Sequence, residues 1–256
     1  MCYIMSEKNV FYVKSPSAFI YNMLNEPSDE LLFGWKVTTV GEIRDGRIYC
    51  KTDYGYSGYI DANLIVCESE KPSHKVISRF CPMLEKPSYI GKTVSMLPFG
   101  SRVRVVSEEG SFCAVKSDGK VYYLPSVHIS SAEKESVFPD DVINTASLYL
   151  DTPYLWGGKT PVGIDCSGLC FMAYYLNGIK IYRDARFPFY EEYAVLFEEL
   201  SPGDLVFYKG HVALYIGGGK IIHSNSHDGK VTVGEVNHAG IVGCASMKKI
   251  VSSQTA

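Results

Sequence analysis

The sequence predicts an α+β domain in its C-terminal half, preceded by two small all-β modules. Three observations carry this expectation. Residues 1 to about 130 consist of short β-branched or alternating runs separated by turn residues. From about residue 137 the spacing becomes helical, and three short strands come only after the helices, an order that segregates helices from an antiparallel sheet. Between these regimes, Thr152 to Leu169 passes from a Gly- and Pro-rich loop into a helix that begins at a cysteine, Cys166.

In the N-terminal half, Trp35–Val40 and Arg47–Thr52 read as strands on either side of an Asp45-Gly46 turn. Tyr56-Ser-Gly-Tyr-Ile60 then leads into Asp61-Ala-Asn-Leu64. The plan returns later. Phe99-Gly-Ser-Arg-Val-Arg-Val-Val106 parallels Phe33-Gly-Trp-Lys-Val-Thr-Thr-Val40, and Ser111–Lys116, the Asp118-Gly119 turn and Val121–Leu124 follow it. The expectation is two copies of a small β-barrel joined near 68–73, giving domains at 1–68, 69–134 and 135–256.

In the C-terminal half, Pro139–Leu150 reads as an amphipathic helix with Val142, Ala146 and Tyr149 or Leu150 on one face. After Cys166, the residues Leu169, Met172, Ala173 and Leu176 fall on one helical face, and Asn177-Gly178 is a stop signal. Cys166 therefore sits in a first helical turn, where free N–H groups and the helix dipole are expected to lower a thiol's pKa and to hold an oxyanion. Ser201–Asp204 is a turn, followed by strands Leu205–Tyr208, His211–Ile216 and Lys220–Ser224, with Lys209-Gly210 and Gly217–Gly219 turning the chain between them.

Composition narrows the class. The chain is 46% hydrophobic and 21% charged with a net charge of -3, as in a soluble globular protein, and lacks the basic excess of a nucleic-acid binder. Met1–Val10 has no basic segment leading into a long apolar run, so neither a signal peptide nor a membrane partner is expected and the expected location is cytoplasmic. The eight cysteines are scattered, and Cys166 and Cys170 lie at i, i+4 rather than in a C-x-x-C motif. Reduced thiols and no metal are expected.

A cysteine nucleophile needs a base, and the base needs an orienting group. Of the six histidines, His211 opens one strand and His223 lies near the end of the next, so a hairpin at Gly217–Gly219 brings them about one pairing step apart. His211 then shares a face with Ala213 and Tyr215, and His223 one with Ile221. Singly, each feature has a plainer reading: Cys166 a core thiol, Asp165 an N-cap, the glycines turn formers and the histidines ordinary strand residues.

In combination the motifs resemble a known family. Tyr154-Leu-Trp-Gly-Gly158, Asp165-Cys-Ser-Gly168, Arg183-Asp-Ala185, Pro202-Gly-Asp-Leu205, His211-Val-Ala-Leu-Tyr-Ile-Gly217 and Ile222-His223 stand in the order found in the NlpC/p-sixty cysteine peptidases. The N-terminal plan, with its closing Tyr56-Ser-Gly-Tyr59, resembles bacterial SH3-like domains. The resemblance implies a papain-like catalytic domain that needs no cofactor, with Cys166 as nucleophile, His211 as base and His223 as orienting residue. It implies that Tyr154 helps the oxyanion site and that Asp165, Ser167, Arg183 and Asp184 bind substrate.

Two SH3-like domains ahead of such a domain resemble the γ-D-glutamyl-L-diamino acid endopeptidases. These cleave peptidoglycan-derived peptides with a free L-Ala amine, met by an acidic residue and a tyrosine of the first SH3-like domain. Tyr56 matches that tyrosine, and Glu30 is the more distant match for the acid. The chain departs from the family where Pro188 replaces a common glutamine, and in its short Pro27–Gly34 segment. The rival readings are an exported lysin acting on intact wall, a wall-fragment binding protein without activity, and an acyltransferase on the same fold. No motif bears on oligomeric state or on lysine against diaminopimelate.

Overall fold

The computed structural model describes residues 9–67, 70–131 and 138–255. The chain divides into two compact units, Met1–Ala132 and Glu133–Ala256. The joints expected at 68/69 and 134/135 lie outside the described residues. Among the described residues no helix is long and apolar enough to cross a membrane.

The N-terminal unit is all β. Its first half comprises β1 (Val10–Val13), β2 (Ser17–Tyr21), β3 (Pro27–Leu32), β4 (Lys36–Arg44), β5 (Arg47–Thr52), β6 (Ser57–Asp61) and β7 (Ile65–Val66). These form a seven-stranded sheet in the order β3-β2-β6-β5-β4-β1-β7. The second half comprises β8 (His74–Val76), β9 (Phe80–Leu84), β10 (Thr93–Pro98), β11 (Arg102–Val103), β12 (Val105–Glu109), β13 (Phe112–Ser117), β14 (Lys120–Pro125) and β15 (Ile129–Ser131). Their orders, β10-β9-β14-β13-β12 and β11-β8-β15, repeat the first half strand for strand if β11 and β12 together stand for β4. A short 3-10 turn precedes the closing strand in each half, at Ala62–Leu64 and Ser126–His128. The repeat suggested by sequence is thus present in the pairing pattern, interrupted only where Arg104 leaves the strand between β11 and β12.

Local chemistry explains the turns. Asp45 and Gly46 have φ of 49° and 78°, and Asp118 and Gly119 have 48° and 74°. Two left-handed residues in succession match the twist of a tight hairpin. The two halves are joined through the paired Phe-Gly segments. Phe33 packs into the core of the second half with Val76, Leu97, Val103 and Leu124. Trp35 Nε1 donates to Gly100 O at 2.9 Å, and Arg102 N donates to Phe33 O at 2.8 Å. Gly34 has φ of 73°, and a Cβ there would stand 1.8 Å from Arg102 O, so only glycine fits.

The C-terminal unit is α+β. It runs through α1 (Pro139–Ser147), β16 (Lys159–Thr160), β17 (Gly163–Ile164), α2 (Cys166–Tyr175), β18 (Ala194–Val195), β19 (Leu205–Tyr208), β20 (His211–Gly217), β21 (Lys220–Asn225), β22 (Lys230–Glu235), β23 (Ile241–Ala245) and α3 (Met247–Thr255). Six of these strands form an antiparallel sheet in the order β18-β23-β19-β20-β21-β22. α1 is shorter than expected: Asp151 adopts φ of 63°, and the chain turns to pair with Val231 instead of continuing the helix.

α2 departs from the one-face expectation. Gly168 to Tyr175 are all buried, because α2 packs against α1 as well as β20 and β21. It ends where the sequence placed its stop: Gly178 has φ of 83°, and the Asn177 amide donates to Ala173 O and Thr145 Oγ1, both at 2.8 Å.

Candidate active site

Asp165 is the N-cap of α2, so Cys166 is its first helical residue. The Asp165 carboxylate accepts from the amides of Gly168 and of Gly157, the latter at 2.7 Å. Arg183 grips the same carboxylate with two parallel bonds, Nη1 to Oδ1 and Nη2 to Oδ2, each 3.0 Å. Arg183 Nη1 also donates to Ser167 Oγ at 2.7 Å. Asp165 and Arg183 are each only 4% exposed, so this is a buried, bidentate ion pair. The backbones meet closely here, since a Cβ on Gly168 would stand 2.3 Å from Gly158 O. The glycines of both motifs therefore serve close packing as well as turns.

Cys166 is 7% exposed. Its thiol is raised, not lowered as the helix-terminus reasoning expects. Burial and the adjacent Asp165 carboxylate push it up, and the amides of Val212 and Ser167 with the Arg183 guanidinium offset this only in part. The Val212 amide that meets the sulfur belongs to the second residue of β20, directly after His211 in the chain. Burial, with Cys166 and Asp165 adding to it, pushes the Tyr154 phenol up to about 12, which keeps its hydroxyl a neutral donor within the field of the thiol. Tyr154 is held in place by its own amide, which donates to Gly229 O at 2.8 Å.

The hairpin register brings the two histidines together. Leu214 pairs with Ile222 and Tyr215 with Ile221, so His211, Ala213, Tyr215, Ile221 and His223 share one face. His211 Nε2 and His223 Nδ1 are 3.0 Å apart. This leaves His211 Nδ1 as the ring nitrogen available to the thiol. Burial lowers His211 to about 4, with His223 contributing, so its imidazole is neutral at pH 7. Burial lowers His223 as well, and Asp228 opposes that.

The remaining expected residues fall as follows. Asp165, Ser167 and Arg183 direct side-chain hydrogen bonds at one another, which sequence reasoning missed because 18 residues separate the ion pair. Asp184 is half-buried beside them, and Pro188 is exposed in the 3-10 turn Phe187–Tyr193. Tyr56 and Glu30 belong to the N-terminal unit: Glu30 is buried in β3, and the half-buried Tyr56 donates to Ser28 O at 3.2 Å. Asp204 accepts from the amides of Met247 and Ser201 and so ties α3 to the turn before β19. Ser224 was also missed; its hydroxyl donates to Ile164 O at 2.6 Å and links β21 to the chain just before Cys166. The seven described cysteines are all free thiols.

A thiol at the head of a buried helix, beside a strand that opens with one of two hydrogen-bonded imidazoles, is the arrangement of a cysteine peptidase. Residues 151–243 match the NlpC/P60 family. The chain is 35% identical over 247 residues to dipeptidyl-peptidase 6 of Lysinibacillus sphaericus, covering 86% of this chain and 90% of the relative. It is 28% identical over 215 residues to the γ-D-glutamyl-L-lysine dipeptidyl-peptidase of Bacillus subtilis, covering 76% and 71%. The crystal structure of an NlpC/P60 family protein from Bacillus cereus superposes with a TM-score of 0.82 at 21% identity, over 93% of this chain and 99% of that one, which shows a shared fold. On these grounds the chain belongs to the NlpC/P60 family.

Proposed function

We propose that this peptidase hydrolyses the γ-D-glutamyl–diamino acid bond of L-Ala-γ-D-Glu-diamino acid peptides with a free amine, in peptidoglycan peptide turnover. The substrate class is supported by relatives named dipeptidyl-peptidase 6 and γ-D-glutamyl-L-lysine dipeptidyl-peptidase, the first matched over 90% of its length. The observation that carries the mechanism is the 3.0 Å contact from His211 Nε2 to His223 Nδ1.

In this mechanism His211 donates its Nε2–H to His223, and its Nδ1 takes the Cys166 proton. The thiolate attacks the γ-carbonyl, and the N–H groups at the head of α2 with the Tyr154 hydroxyl stabilise the oxyanion. The C–N bond breaks as His211 returns the proton to the leaving amine of the diamino acid. Water, deprotonated by His211, then attacks the thioester; the C–S bond breaks, His211 returns the proton to the Cys166 sulfur, and L-Ala-γ-D-Glu leaves. Asp165 and Arg183 act by holding the helix head.

The two halves of the N-terminal unit are read as SH3-like domains, a reading supported by their repeated strand order. In this proposal Tyr56 and Glu30 meet the substrate amine. The test is mass spectrometry of products from free and N-acetylated tripeptides. Release of L-Ala-γ-D-Glu from the free peptide, with at least about a hundredfold loss in kcat/KM on acetylation, is expected from losing two charge-assisted contacts. Comparable cleavage of both peptides would refute the free-amine reading, and cleavage at another bond would refute the substrate class.

A further inference from the structure

The imidazole that serves as base stands on β20, and β20 has a neighbour on each side: β21 carries His223, and β19 carries Tyr208. Tyr208 pairs directly with His211 across the Lys209-Gly210 turn, so both side chains leave the sheet on the same face. The Tyr208 and His211 ring centroids are 5.9 Å apart at 34°, and those of His211 and His223 are 5.1 Å apart at 64°. The base is therefore held between two rings.

Tyr208 is itself fixed from behind. It packs on the sheet cluster of Val206, Ala213, Ile221, Val236 and Cys244. Its ring lies so close to the β23 side that a Cβ on Gly240 would stand 3.2 Å from Tyr208 Cδ1. The hydroxyl is buried and reaches hydrogen-bond geometry with no group among the described residues, although the Asn237 amide is near. The contact to His211 is thus one of ring surface.

We propose that Tyr208 is a positioning residue of the active site: its ring is the β19-side wall that holds the His211 imidazole against His223 and keeps water from it, and its hydroxyl takes no part. An imidazole at a strand start, bonded through one nitrogen only, is free to swing about that bond. A packed ring on the opposite side removes that freedom and replaces water that would otherwise stabilise the imidazolium. The low affinity of His211 for a proton agrees with such shielding. The titratable groups that the sheet brings to His211 are Tyr208 on β19 and His223 on β21, with Cys166 at the head of α2 facing the adjacent Val212 amide and Asp228 acting on His223. The proposal rests on His211 being the base.

The test compares Tyr208→Phe, Tyr208→Leu and Tyr208→Val in the full chain. Each is checked for folding by hydrogen exchange on peptides of the C-terminal unit, assayed for kcat and KM on the free-amine tripeptide, and titrated by NMR of the His211 imidazole. The Phe variant should match the wild type in kcat and in titration. The aliphatic variants should lose roughly 10- to 100-fold in kcat, as expected for a displaced catalytic group, with KM within about twofold. Their His211 titration should move up from about 4 by at least about one unit toward the ordinary histidine value. A folded Leu or Val variant with wild-type kcat and titration overturns the proposal, and so does a Phe variant as impaired as they are. His211→Ala is the control: if it stays active, the assignment of the base fails, whereas if it is dead and the aliphatic variants are normal, only the role of Tyr208 fails.

Discussion

Replacing Arg183 with methionine removes both charged hydrogen bonds from a carboxylate that is 4% exposed. Asp165 then keeps the Gly157 and Gly168 amides and the Ser167 hydroxyl. Breaking a buried ion pair from one side costs about 3–5 kcal/mol, and the retained donors place this case near 3. At about tenfold per 1.4 kcal/mol, that is roughly a hundredfold in the opening equilibrium of the C-terminal unit. Because the chain has two compact units, a global melt would mix two transitions, so hydrogen exchange read on peptides from α2 is the suitable measurement. Exchange through unfolding of the unit should be about a hundred times faster in Arg183→Met. Adding Asp165→Asn removes the stranded charge, so the double variant should be less destabilised than the sum of the singles by about 2 kcal/mol or more. Activity should fall at least tenfold, because Arg183 also draws the Cys166 thiol downward. The reasoning is refuted if Arg183→Met exchanges within about threefold of wild type, or if the two substitutions add to within about 0.5 kcal/mol.

Cys166→Ala should abolish peptide hydrolysis and leave hydrogen exchange of the C-terminal unit near wild type, while Cys170→Ala should keep activity; the opposite pattern in a product assay would identify the other thiol. His211→Ala should reduce kcat far more than His223→Ala, since orienting a base is the smaller task, and steady-state kinetics decides it. Between about pH 6.5 and 4 the unfolded chain binds a proton at His211 that the folded chain refuses, so stability is full above about 6.5 and falls by roughly 3 kcal/mol as pH drops toward 4. Exchange of the C-terminal unit measured across that range should show the loss, and a flat profile would contradict the lowered His211. Gly34→Ala should destabilise the N-terminal unit by about 3 kcal/mol or more, because its Cβ would stand 1.8 Å from a carbonyl oxygen at φ of 73°; a difference below about 1 kcal/mol from hydrogen exchange on peptides of that unit would count against it.

Much of the site was readable from local rules. The start of α2 at Cys166, its stop at Gly178, the Asp-Gly turns and the hairpin that joins His211 to His223 each depend on a few consecutive residues, and the structure has them all. Of the strands left unassigned, β2 buries alternate residues and Lys230-Val-Thr-Val233 of β22 alternates in sequence, so both had a local signal, whereas others had none. In β3, Asp29 to Leu32 are buried without a break, so no period of two marks the strand. β1 and β8, four and three residues long, become strands only by pairing with distant segments. The short α1 likewise follows from the competing pairing of residues 151–152 with Val231.

The sequence by itself determined where the candidate residues fall along each element, because helix starts, turns and hairpin registers are set by neighbours in the chain. Tertiary structure alone decided their proton affinities and partners. The helix terminus argues for a low Cys166 pKa, but burial and Asp165 reverse it, and Arg183 turns out to serve Asp165. Desolvation and Coulombic fields depend on what lies within a few ångströms in space, and at Cys166 those groups come from residues 165, 183 and 212, which chain order does not bring together until the domain has folded.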